Sequence, residues 1–109
     1  MSDYHSIRDE TVSQLRDAYP ELKTSFGIVT IGLFGSVSRG DDCARSDINI
    51  LYLFDTDRGD LNDFVGLHEY LELLFHRTVN MVSLEYLDEY MRPSIKRDAL
   101  LFGEATELL

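Results

Sequence analysis

The segment Gly35-Ser36-Val37-Ser38-Arg39-Gly40, followed by Ser46-Asp47-Ile48-Asn49, combines small, hydroxyl, cationic and carboxylate groups at a spacing suited to holding a phosphorylated ligand. A Gly-Ser pair closes one apolar run and a carboxylate opens the next, which is the pattern of a nucleoside-triphosphate site on a small mixed sheet. A triphosphate carries several negative charges, and backbone N–H groups at a tight turn before a helix are natural donors for it. Gly35 lets the main chain approach such a ligand closely. The segment is not a Walker loop, because no Gly-Lys-Ser or Gly-Lys-Thr follows the glycine turn.

The flanking sequence says which elements must position these groups. Ile28 to Phe34 is short, β-branched and bounded by Gly27 and Gly35, and reads as a buried strand ending at the motif. Asp47 to Phe54 reads as a second strand, whose alternation puts Asp47, Asn49 and Leu51 on one face and Ile48, Ile50 and Tyr52 on the other. Thr78 to Val82 is a third, with Asn80 at its centre. A loose helical stripe from Tyr4 to Tyr19 predicts a first helix, with Ser2 or Asp3 as N-cap and Pro20 closing it. After a solvated loop at Asp55–Asp60, Leu61, Phe64, Val65, Leu67, Leu71, Leu74 and Phe75 predict a helix that covers the sheet. Ser83 is expected to cap a further helix starting near Leu84, with Pro93 breaking or restarting it. Ile95, Ala99, Leu100 and Phe102 suggest a last helical turn or two before Gly103, and Glu104 to Leu109 form a tail of undefined form. The fold class is therefore α/β (α+β): a small mixed β-sheet of three or more strands flanked by helices.

Composition narrows the partners. With 109 residues and no repeat, low-complexity tract or linker, residues 1–109 are read as one domain, too short for a polymerase carrying its own nucleic-acid grip. Twenty acidic against ten basic residues give a net charge of −10, which repels a phosphate backbone and argues against direct nucleic-acid binding; a small ligand or a basic protein surface fits better. Cys43 cannot form an internal disulfide, and the polar start has no signal-peptide core, so a cytoplasmic location is expected. The longest apolar runs are far shorter than a membrane span.

Taken together, the Gly-Ser turn, the Ser-Arg-Gly that follows and the Ser46-Asp47 opening the second strand resemble the minimal nucleotidyltransferases (MNT) of the polymerase-beta-like nucleotidyltransferase superfamily. The resemblance runs from the first helix through the third strand. It implies nucleotide binding by Gly35, Ser36, Arg39 and Gly40: the Ser36 hydroxyl on a terminal phosphate oxygen, the Arg39 guanidinium nearby, and Gly40 permitting the turn. It also implies Mg2+, held by three carboxylates, with ATP as substrate. The first carboxylate falls on Asp47, the metal-binding candidate; the second and third fall on Asn49 and Asn80, so the catalytic set would be Asp47, Asn49 and Asn80. An amide is a neutral and weaker ligand than a carboxylate, so weak or single-ion binding and slowed catalysis are expected. MNT proteins are often paired with HEPN-domain ribonucleases, as antitoxins that move AMP from ATP to a tyrosine of the toxin. The resemblance thus points to such an adenylyltransferase, slowed by its asparagines. The alternative is an inactive module that acts on a HEPN-type protein by contact; a homodimer or a hetero-oligomer is open in either case. A nucleic-acid polymerase or tRNA-tailing enzyme is disfavoured.

Other candidates read more simply. Asp41, Asp42, Asp55 and Asp57 lie near the motif and could replace the missing carboxylates, although acidic loop residues are usually solvated surface. His5, His68 and His76 lack zinc-site spacing, and His68 with Glu72 makes an ordinary i,i+4 contact. Cys43 is read as a passive small residue and Arg45 as the partner of a local ion pair. The tyrosines are too scattered for a stacking surface. Leu84, Leu87, Met91, Ile95, Leu100, Leu101 and Phe102 are core by default, or an apolar face for another subunit.

Overall fold

In a computed structural model, which describes residues 3–104, the chain runs α1 (Arg8–Phe26), β1 (Ile28–Phe34), α2 (Ser36–Arg39), β2 (Ile48–Phe54), α3 (Leu61–Phe75), β3 (Val79–Ser83), α4 (Arg92–Asp98) and β4 (Leu100–Gly103). The strands form a mixed sheet in the order β3-β2-β1-β4. β1 is antiparallel to both β2 and β4, whereas β2 and β3 are parallel. This is the expected α/β class, and the fourth strand, β4, adds to the three located in the sequence within the expected three or more.

Alternation along β2 and β3 fixes what each face of the sheet carries. Ile48, Ile50 and Val79 pack into a core with Leu15, Ala18 and Leu22 of α1 and Leu67, Leu71 and Phe75 of α3. Leu51 points the other way, into a smaller cluster with Leu84, Leu87 and Ile95, joined by Phe34, Val82 and Leu101. Parallel pairing sets Asn49 beside Asn80 and Leu51 beside Val82, so the polar and apolar pairs share one face. A slip of one residue would turn Asn80 into the main core, and that penalty holds the register. Val79 is clamped from α3 as well: its N–H donates to Glu72 Oε2 at 2.8 Å, and its carbonyl lies 2.9 Å from His68 Nε2. His68 and Glu72, 3.4 Å apart, do pair as expected, but their shared task is to hold the start of β3.

Four expectations about elements need correction. Pro20 does not close the first helix; it lies exposed inside α1, which continues because Leu22 is still to be buried and ends at left-handed Gly27. Asp3 does not cap that helix, which starts at Arg8 with Ile7 as N-cap; Ser2 lies outside the described residues. The physical reason is Asp42, whose carboxylate accepts from Tyr4 Oη, Ser6 Oγ and the Ile7 N–H and so draws this segment out of the helix. No helix starts near Leu84 either. Ser83 Oγ accepts from the Glu85 N–H in a turn, and Leu84 and Leu87 enter the second cluster from irregular chain, with Pro93 starting α4. Finally, Leu100 to Gly103 is a strand rather than helical turns. It closes on β1 where Gly32 has no side chain: a Cβ there would lie 2.3 Å from Leu101 Cδ2 and 2.9 Å from the Leu100 carbonyl. Of the tail, Glu104 extends this edge through its N–H to the Val29 carbonyl, and residues 105–109 lie outside the described residues.

Candidate functional site

At the C-terminal end of β1 the chain turns through Gly35, whose φ of 83° and ψ of −157° suit glycine alone among the common residues. Phe34 pairs with Asn49, which places Gly35 against the Asn49 side chain; a Cβ on Gly35 would sit 2.5 Å from Asn49 Nδ2. Ser36 opens α2, and left-handed Gly40 ends it by donating its N–H to the Ser36 and Val37 carbonyls. Gly40 thus serves the turn, as expected.

On the other side of Asn49 lies Asn80. The Ile48 N–H donates to the Thr78 carbonyl at 3.0 Å, which brings Asp47, just before β2, level with the start of β3. Asn80 Nδ2 then donates to Asp47 Oδ2 at 3.3 Å and to Asn49 Oδ1 at 3.2 Å. Gly35, Asp47, Asn49 and Asn80 therefore converge on one face, with Ser36 next in the chain. Arg39 is engaged elsewhere: its Nε donates to Asp41 at 3.1 Å and its NH1 to Asp98 at 2.7 Å, and these partners, Asp98 first, raise its already high pKa.

The loop that delivers Asp47 is held by residues that carry no motif. Arg77 donates from NH1 to the Cys43 and Ser46 carbonyls, each at 3.0 Å, and its guanidinium lies 5.7 Å from the centre of the Tyr4 ring. A lone arginine between a helix and a strand gives no sequence signal for this role. Asp42 anchors the N-terminal segment, and Asp41 pairs with Arg39. Asp55 accepts from the N–H of Thr56. Cys43 is exposed, and its thiol is lowered from the ordinary value chiefly by the Arg45 N–H, with help from the Ser46 hydroxyl.

The three-carboxylate cage for Mg2+ that the resemblance implies does not fit this donor set. Mg2+ takes near-octahedral oxygen ligation, with carboxylates, waters and, in nucleotide sites, substrate phosphates as ligands. Here one carboxylate is present, and its Oδ2 already accepts an amide N–H. Among the described residues, no group of three or more His, Cys, Asp or Glu side chains is placed to hold a metal.

A cleft of about 810 Å³ lies at the other end of β2, lined by Tyr52, Phe54, Asp55, Phe64, Glu85 and Tyr86 among others. It contains none of the motif residues. Tyr52 packs edge-on against Phe54 and Phe64, and Arg58 on its wall is tied to Asp63 at 2.8 Å, so these three rings and this cation serve local packing. Converging polar groups, rather than volume, mark the candidate site.

Comparison with known proteins identifies the family and the fold. The family model for polymerase beta nucleotidyltransferases matches residues 18–107. The protein adenylyltransferase MntA of Thermococcus cleftensis is 34% identical over 92 residues, spanning 84% of this chain and 92% of that protein. A solved structure described as a minimal nucleotidyltransferase superposes with a TM-score of 0.69 at 34% identity, over 84% of this chain and 92% of its own. The fold is also shared, with a TM-score of 0.54 and 22% identity over 92% of this chain and 72% of the other, with a structure of a tri-AMPylated Shewanella oneidensis HEPN toxin in complex with MNT antitoxin. Among the described residues no helix is long and apolar enough to cross a membrane. With the match reaching from the second half of α1 past β4, this chain belongs to the polymerase beta nucleotidyltransferase family.

Proposed function

We propose that this chain, as a single 1–109 domain in the cytoplasm, binds ATP at the Gly35-Ser36 turn beside Asp47 and pairs with a HEPN-type protein, with AMP transfer to that partner strongly attenuated. Support for the partner comes from the relative named as a protein adenylyltransferase and from the neighbour in which an MNT antitoxin sits on a HEPN toxin. The net charge of −10 suits contact with a basic, RNA-handling surface and disfavours direct nucleic-acid binding. The observation that carries the attenuation is the Asn80 amide donating to both Asp47 and Asn49 where nucleotidyl transfer calls for anionic ligands. Positioning and electrostatic stabilisation supply nearly all the acceleration of such a transfer, so their loss should slow it by roughly 10³-fold or more.

The test is to incubate the chain with labelled ATP, Mg2+ or Mn2+ and its HEPN-type partner, beside the Asn49→Asp/Asn80→Asp double variant. Trace label from the native chain and more from the variant is the expected result; full transfer by the native chain would refute the attenuation. The same amide contacts favour a second reading, a module that acts by contact alone. Complex formation with no label from the native chain, whatever the metal, would select it.

A further inference from the structure

We propose that the site receives the triphosphate directly on carboxamide N–H groups, with no divalent cation between ligand and protein; this rests on the nucleotide-binding reading above. An ionised carboxylate can only accept hydrogen bonds, so the Asn80 atom 3.3 Å from Asp47 Oδ2 must be its NH2 group. The same nitrogen faces Asn49 at 3.2 Å, so the Asn49 atom there must be its carbonyl oxygen. The Asn49 NH2 group then points to Gly35, 2.5 Å from where a Cβ would stand. A single aspartate thereby fixes the direction of both amides, and the absent side chain of Gly35 leaves room for the second.

The exchange of carboxylate for amide alters more than metal affinity. It removes two negative charges from the space a triphosphate must enter and turns one oxygen of each carboxylate into an N–H donor of the same shape. A carboxylate cluster can meet a polyanion only through cations, whereas an amide meets phosphate oxygen unaided. Asn80 can give up the neutral Asn49 carbonyl for a phosphate oxygen, and hydrogen bonds to a charged acceptor are roughly twice as strong as neutral ones. The net charge of −10 opposes any anion, and Asp47, 3.3 Å from the Asn80 amide, opposes it locally; solvent-exposed charges farther off than the Debye length of about 8 Å at physiological salt are largely screened.

Calorimetric titration of ATP into the native chain, at physiological KCl with either excess EDTA or excess Mg2+, tests this without any substitution. The two affinities should agree within about fivefold, and in Asn80→Asp, checked for folding by circular dichroism, binding in EDTA should weaken by at least about tenfold while Mg2+ restores it. A native preference for Mg2+ greater than about fivefold would overturn metal-free recognition but leave nucleotide binding standing. Absence of binding in both buffers would remove the nucleotide-binding reading itself and this inference with it.

Discussion

Asp42 and Asp47 frame the same loop, between α2 and β2, yet the molecule uses them in opposite ways. Asp42 is 8% exposed and gathers donors from Ser6, Tyr4 and the Ile7 N–H. Burial pushes its carboxyl up, but those hydrogen bonds outweigh burial and hold it below its ordinary value. Asp47 is exposed and receives the Asn80 amide. In so acidic a chain the number of carboxylates therefore says little about function. A carboxylate enclosed by donors is a structural tie, and one at the mouth of a polar cluster is placed to meet a ligand.

Truncating each in turn separates the two roles. Asp42→Ala strands several donors and should cost about 2–4 kcal/mol in urea unfolding, whereas Asp47→Ala should cost less than about 1 kcal/mol. Equal losses would erase the distinction. Acid provides a second approach. Asp42 and Asp63, the latter held at about 2 chiefly by its hydrogen bond from Arg58, both lie below the ordinary value of 3.8. Groups depressed on folding add stability above their unfolded value and lose it as pH falls through the folded one. Thermal unfolding temperature should hold above about pH 4 and decline toward about pH 2, and Asp42→Ala should decline less.

A smaller effect is expected at the turn. Gly35→Ala forces a side chain into a left-handed backbone at φ 83° and should cost about 1–2 kcal/mol. It should also shift the Asn49 side-chain amide resonance, through the 2.5 Å approach. Smallest is Arg39→Ala: the guanidinium is half-exposed, though Asp98 is largely buried beside it, and its pairs with Asp41 and Asp98 are worth about 1 kcal/mol. A fall in ATP affinity beyond about tenfold in that variant would show that the guanidinium leaves its carboxylates for phosphate.

Much of the site was legible because it is local or periodic. The strand periods of β1, β2 and β3 and the glycine turn place Gly35, Asp47, Asn49 and Asn80 on one face once parallel pairing is granted. What escaped the sequence depends on distant partners. Pro20 reads as a stop, but burial of Leu22 carries α1 past it. Leu100 to Gly103 keeps a helical spacing and becomes a strand because β1 offers an open edge beside Gly32. Ser83 has the look of an N-cap, yet Leu84 donates to the Tyr52 carbonyl and follows the sheet instead. The grip of Arg77 on the loop before Asp47, and the clamp of His68 and Glu72 on Val79, exist only after the chain has closed.

Titrating Mn2+ into the nucleotide-free chain, with the unbound ion followed by electron paramagnetic resonance, shows whether the amide-bridged cluster around Asp47 holds a cation of its own. The native protein should show no saturable binding below about 1 mM, and the Asn49→Asp/Asn80→Asp variant should bind within that range. A native chain that binds Mn2+ as tightly as the double variant would mean that the amides leave the cation site intact.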